Sequence, residues 1–228
     1  MKYKLTKETK VVFGHTLHRI VCVTAFASVS VGDLGGWVES EKNLSQYGNA
    51  WVCGNAMVYG NARVCGDAMV YGDAEVYGNA WVCGNAMVYG NARVCGDAMV
   101  YGDAEVYGNA WVYGNAMVYG NAEVYGNAEV YGDAMVCGNA EVYGNAEVYG
   151  NAEVCGITDF MVLKNSWSSG RYFTYTASNK MWKVGCFYGT GEELIKKAYK
   201  DSELSGKCYE AAVKYVEEIE MLKKELKK

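Results

Sequence analysis

The chain has 228 residues, no proline, nine cysteines and a formal net charge of −5. An excess of acid over base disfavours a phosphate-binding surface, which needs clustered Lys and Arg, and no apolar run approaches the length of a membrane span. The start, Met1-Lys-Tyr-Lys-Leu-Thr-Lys, lacks the apolar stretch of a signal peptide, which predicts a cytoplasmic protein with no membrane or nucleic-acid partner.

Residues 1–46 hold the apolar runs Val11-Val12-Phe13 and Ile20-Val21-Cys22-Val23, then a stretch from Val29 to Val38 with a Gly-rich turn at Gly32 to Gly36. They read as short strands that form an N-terminal β cap, which the open end of a repeat stack requires. The Gly-rich turn lacks the Lys of a phosphate-binding loop and the spacing of a dinucleotide fingerprint.

From Tyr47 to Val154 one hexapeptide recurs eighteen times without insertion: Tyr or Cys, Gly, Asn or Asp, Ala, a variable residue, Val. Successive side chains of a strand point to opposite faces, so Ala and Val share one side while the variable residue and Tyr/Cys share the other. The variable position includes Glu75, Glu105, Arg63 and Arg93, whose charges are costly to bury unpaired. The inside is therefore a column of Val and small Ala. Gly and Asn/Asp supply the corners, because they best tolerate positive φ.

A unit this short cannot bury a face alone, and stacking gives it a continuous core. The pattern predicts an all-β solenoid over residues 47–156. Three hexads per turn give about six coils, and a strand spacing of ~4.8 Å makes the prism roughly 29 Å tall.

Every third hexad then shares a face. The first face carries Trp51, Met69, Met87, Glu105, Glu123 and Glu141, and the second Met57, Glu75, Arg93, Trp111, Glu129 and Glu147. The third carries Arg63, Trp81, Met99, Met117, Met135 and Glu153, with Cys65, Cys83, Tyr101, Tyr119, Cys137 and Cys155 beside them. This face is the most apolar, so Trp81, Met99, Tyr101, Met117, Tyr119 and Met135 are the candidate oligomer interface. The competing account is that these side chains only stack along the ladder as cross-strand partners.

Residues 51–80 and 81–110 are identical, and thirty residues are five hexads, so the two copies are rotated by one face. Trp51, Trp81 and Trp111 consequently lie on three different faces. A duplication that keeps the hexad but moves the faces weighs against a catalytic constellation on the coils and favours a scaffold, spacer or adhesive surface. The repeats carry two basic and twelve acidic residues, a balance that suits a basic protein surface better than an anionic ligand.

Five cysteines replace Tyr within the repeat. Zinc sites usually show close pairs with two to four residues between ligands, and none occurs here, so no metal is predicted. Cys65 and Cys83 fall on one face in adjacent coils, as do Cys137 and Cys155. The cytoplasmic assignment predicts reduced thiols.

Residues 157–228 change character. Arg171 to Thr176 and Met181 to Phe187 alternate like a hairpin. Thr190 and Glu193 have capping-box spacing and open a helix through Lys200. A final helix from Ser205 to Lys227 places Tyr209, Val213, Val216, Ile219, Leu222 and Leu226 on one stripe. This small α+β module is the least repetitive part, with Arg171, Tyr175, Trp182 and Lys183 as candidate binding contacts. The alternative is a second cap in which Trp182 is core and Lys183 a solvated charge.

The hexad resembles that of the left-handed β-helix hexapeptide-repeat superfamily, with Val and Ala in the family's two inward positions. The resemblance implies a left-handed triangular coil and side-by-side homo-oligomers, trimers above all. Gly32-Asp-Leu-Gly-Gly-Trp-Val-Glu-Ser-Glu-Lys-Asn-Leu-Ser45 looks like the lead-in segment of uncharacterised bacterial and prophage hexapeptide-repeat proteins, often labelled acyltransferases from the repeat alone. The run from Gly185 to Glu193 resembles C-terminal modules of phage proteins.

Acyltransferases of that superfamily resemble one another in using a His as general base beside a loop projecting from the coils. Here the two histidines, His15 and His18, precede the repeats, and no loop interrupts them. The sequence thus predicts a non-enzymatic, cofactor-free homo-oligomeric scaffold and binding protein of phage or prophage kind, engaging a host or phage protein. The alternatives are an anti-defence factor that sequesters a small signalling nucleotide or inhibits a host immune protein, and a hexapeptide-repeat acyltransferase.

Overall fold

The structure, a computed structural model, describes residues 1–226; Lys227, at the end of the predicted last helix, and the side chain of Leu226 lie outside the described residues. Strands β1 (Tyr3–Val12), β2 (His15–Cys22) and β3 (Leu34–Val38) precede the repeats. Eighteen two-residue strands follow at six-residue steps, from β4 (Trp51–Val52) to β21 (Glu153–Val154). Each pairs in parallel register with the strand eighteen residues away, as Met87 does with Met69 and Glu105. Three parallel sheets result, and their outward rows are the three faces read from the hexads.

Every Ala and Val of the repeat is buried. Complete removal of a valine side chain from water stabilises by about 1.5 kcal/mol or more, so the repeated column is the main source of cohesion. Each turn also donates backbone N–H groups to the next, for example Met87 N to Ala104 O at 2.9 Å and Tyr89 N to Val106 O at 3.0 Å. At the corners Gly84 has φ of 72°, and a Cβ there would stand 2.9 Å from the backbone of Gly102 on the next turn. The corner therefore needs glycine for conformation and for space.

The solenoid has about seven turns rather than six. An additional lead-in turn comes from residues outside the hexads: Trp37 and Val38 pair in parallel with Met57 and Val58, and Leu44 bridges Val64. Hexad counting misses this turn because its offset is twenty residues where the repeats use eighteen. The surplus lies between Leu44 and Trp51, where the Gln46 amide accepts from Lys2 N at 2.8 Å and donates to Tyr3 O at 3.2 Å.

The β1–β2 hairpin extends the second face antiparallel to β3, and the neighbouring segment folds over the first coil. Phe26 and Tyr3 make edge-on contacts with Trp51. Lys2 donates to Ala50 O at 2.7 Å and to Gly48 O at 3.2 Å. Burial holds its ammonium down at about 8.

At the other end β22 (Phe160–Lys164), β23 (Tyr172–Thr176), β24 (Met181–Val184) and β25 (Phe187–Gly189) form a four-stranded antiparallel sheet. The predicted hairpin is its centre. Its second strand stops at Val184 because Gly185 turns with φ of 53°. Helices α1 (Gly191–Asp201) and α2 (Glu203–Leu226) cover the sheet. Thr190 and Glu193 form the capping box. Val213 and Val216 of the predicted stripe are buried against Phe173, Trp182 and Leu194, whereas Leu222 is exposed.

The module also closes the solenoid. Backbone donors of the last coil, with no further turn to meet, find side-chain oxygens instead: Glu147 N donates to Thr174 Oγ1 at 2.9 Å and Glu153 N to Ser178 Oγ at 2.8 Å. Among the described residues no helix is long and apolar enough to cross a membrane.

Candidate functional site

The outward side of each face is built from two columns and a corner. At the corners Asn side chains bond from turn to turn, as in Asn61 to Asn79 at 3.0 Å and Asn79 to Asp97 at 2.8 Å. Asp accepts but cannot donate, and no Asp stacks directly on another eighteen residues away. Like charges are kept apart along each edge.

Tyrosines stack along the ladder. On the first face Tyr71, Tyr89, Tyr107 and Tyr125 are parallel with successive centroids 4.8, 4.8 and 4.9 Å apart. The hydroxyls of Tyr89, Tyr107 and Tyr125 reach the glutamate of the following turn, as Tyr107 does to Glu123 at 2.8 Å, whereas Tyr71 faces Met87. The second face repeats the arrangement with Tyr113 to Glu129 at 3.1 Å and Tyr131 to Glu147 at 3.2 Å. Cross-strand stacking thus accounts for much of the outward aromatic content on these two faces.

The third face differs. Opposite Tyr101 and Tyr119, which stack at 5.1 Å, the following turns offer Met117 and Met135 instead of Glu, and among the described residues neither hydroxyl bonds within the chain. Trp81 and Met99 are 44% and 36% exposed, while Met117, Met135, Tyr101 and Tyr119 are half-buried along the ladder. Met99, Met117 and Met135 pair in direct register. Arg63 lies over the Trp81 ring at 5.6 Å, and the two line a groove of about 350 Å³ with Lys42 and Ser45. The six interface candidates therefore form one continuous surface.

Trp51 occupies the same hexad position as Trp81 yet is 3% exposed, because the N-terminal segment covers it. Hexad parity alone places it outside. Tyr59 is buried for the same reason.

The four binding candidates of the C-terminal module separate. Trp182 and Tyr175 are corrected to core: both are buried among Phe173, Val184 and Val213, because β23 and β24 turn these side chains toward the helices. Lys183 is not a free surface charge either. Its Nζ bonds to the Gly185 carbonyl and lies 3.2 Å from Glu147, which ties the module to the solenoid. Arg171 alone of the four remains exposed, and it lines a cavity of about 60 Å³ together with Phe187, Lys197 and Tyr209.

His15 Nδ1 is 2.9 Å from Glu39 Oε1, and Glu39 Oε2 accepts from Gly60 N at 2.7 Å. The His15 contact, aided by the Gly60 N–H, holds the Glu39 carboxyl below its ordinary range. Both groups pin the hairpin to the lead-in turn. His18 Nδ1 faces the Thr6 carbonyl at 3.3 Å.

The cysteines depart from the sequence expectation at one place. Cys137 and Cys155 are joined as a disulfide, with their Cα atoms 4.4 Å apart on adjacent in-register turns. Cys65 and Cys83, equally placed, are free.

The family described as the YdcK beta solenoid repeat matches residues 50–64, 62–78, 80–96, 92–108 and 110–126. These stretches fall inside the coils, and the same register continues beyond them to Val154. No curated protein matches the chain. The chain is a β-solenoid repeat protein.

Proposed function

We propose that the protein is a non-enzymatic scaffold and binding protein that assembles side by side into a homo-oligomer, a trimer, through the third face of its solenoid. The carrying observation is the register of Trp81, Met99, Met117 and Met135 along one face. Aromatic and thioether groups aligned in one strip, with Trp81 and Met99 exposed, are what the centre of an interface uses. The unanchored hydroxyls of Tyr101 and Tyr119 add donors that a neighbouring subunit satisfies.

The likeness of the hexad to the left-handed hexapeptide-repeat superfamily supports the trimer, and the lead-in segment supports a prophage origin and a cytoplasmic place of action. The regular coils carry no projecting loop, which suits a rigid spacer. In this reading the assembled prism presents its C-terminal modules, on which Arg171 is exposed, to a protein partner.

Light scattering or mass photometry of the purified chain tests the assembly. The expected result is an oligomer that the double substitution Met99→Glu, Met117→Glu converts to a folded monomer. A wild-type chain that is monomeric at micromolar concentration overturns the proposal, and unchanged assembly of the variant overturns the choice of face.

A further inference from the structure

Seven glutamates point outward from the repeats, and six of them accept a hydroxyl from the tyrosine sixteen residues earlier. Glu153 is the exception. The residue sixteen positions before it is Cys137, and Cys155 follows two positions after it. The Sγ of Cys155 lies 3.6 Å from Glu153 Oε1, and one ligand atom from each of the three residues falls within 4.8 Å of the others.

The setting is fixed. Cys137 is buried, and its N–H bonds to Val154 O at 2.8 Å on the next turn. The N–H groups of Cys155 and Gly156 both donate to Asp159 Oδ2 at 2.9 Å, which locks the chain as it leaves the last coil. Two cysteine sulfurs and a carboxylate therefore converge on backbone that the solenoid has already ordered.

Thiolate and carboxylate oxygen are the donor types of zinc sites, in which three protein ligands leave a fourth position to water. The familiar close Cys pair is missing from the sequence because a solenoid does not need it. An eighteen-residue turn does the work of a two- to four-residue loop, and Glu153 and Cys155 supply the near pair.

We propose that Cys137, Glu153 and Cys155, in the dithiol state, bind one thiophilic divalent cation of the Zn²⁺ type. The disulfide and the metal site exclude each other. A dithiol reductant gives two electrons and two protons to the sulfur–sulfur bond and is itself oxidised to a disulfide. A phosphine gives the two electrons while water supplies the two protons and the oxygen of the phosphine oxide, and either route leaves two thiols. Cation binding then releases those two protons and forms two metal–thiolate bonds, with the Glu153 carboxylate as third ligand. The occupied site joins the last two coils beside the C-terminal module, under the control of the thiol redox state.

Cys65 and Cys83 provide the internal comparison, since they occupy the same column in register but have Trp81 where the other pair has Glu153. The full-length chain, reduced anaerobically with a phosphine, is titrated with Cd²⁺ while the thiolate-to-cadmium absorption is followed. One tight equivalent is expected, retained in the Cys65→Ser, Cys83→Ser variant, weakened at least about tenfold by Glu153→Gln, and absent from the oxidised protein. Zn²⁺ should compete for it. Uptake that disappears with Cys65 and Cys83, or that is unchanged in Glu153→Gln, overturns the proposal. Glu153 is exposed and its backbone N–H contact to Ser178 does not involve the carboxylate, so this variant keeps its fold.

Discussion

The Tyr89 hydroxyl donates to Glu105 Oε2 at 2.8 Å across the boundary between two turns. Thirty residues earlier Tyr59 and Glu75 make the same bond on a different face, at 3.3 Å. Arg63 over Trp81 recurs in the same way as Arg93 over Trp111, at 5.6 and 5.1 Å. The thirty-residue duplication therefore moves whole inter-turn pairs, because their spacings of sixteen and eighteen residues travel with the hexads. Local contacts survive a change of face that no large outward constellation survives.

Glu123 shows what such a pair is for. It stands in register between Glu105 and Glu141 on the first face, where directly opposed like charges destabilise a sheet. Tyr107 supplies its hydroxyl donor. Tyr107→Phe should cost about 1–2 kcal/mol, read as a lower urea midpoint, and Glu123→Gln in the same background should recover part of it. A midpoint that does not move counts against the pair.

The same phenols predict alkaline behaviour. In Tyr89 and Tyr107 burial first, and the bonded Glu second, raise the phenol well above its ordinary range; Tyr77 is pushed up to about 12, chiefly by burial. Folded values above unfolded ones mean that this stabilisation is complete below a pH of about 10 and is lost as pH rises through the folded values. Phenolate absorbance should therefore lag in the native protein relative to the protein in urea. Coincident titration curves would remove the argument.

Two corner glycines separate conformation from space. Gly84 and Gly144 have φ of 72° and 70°, but a Cβ on Gly84 meets the next turn at 2.9 Å while one on Gly144, in the last coil, meets nothing within 4 Å. Gly144→Ala should cost only the left-handed penalty of about 1–2 kcal/mol. Gly84→Ala should cost clearly more, because the obstacle is backbone. Equal thermal shifts in the two variants would show that crowding contributes nothing.

Parity and period were enough to read the buried Ala and Val column, the three faces and their register, since each hexad obeys one rule. The lead-in turn was hidden because its offset of twenty residues leaves no period to detect. Trp182 and Tyr175 were read as surface contacts because alternation in an isolated hairpin does not say which side the helices cover. The Cys137, Glu153 and Cys155 cluster was missed by a spacing rule made for short loops. In a solenoid the relevant neighbour lies sixteen or eighteen residues away.

Trp51 and Trp81 turn the limit of parity into a measurement. They are the same letter of two identical thirty-residue copies, yet the first is roofed by Tyr3 and Phe26 and the second is 44% exposed. Trp51→Ala should behave as a core truncation, costing about 3–5 kcal/mol and loosening the N-terminal cap, which limited proteolysis would detect between the hairpin and the first coil. Trp81→Ala should leave the stability of the isolated chain within about 0.5 kcal/mol but weaken self-association, because its ring belongs to the proposed interface. Comparable destabilisation by the two substitutions, with assembly unaffected, would mean that the repeat position rather than its covering sets the energetics.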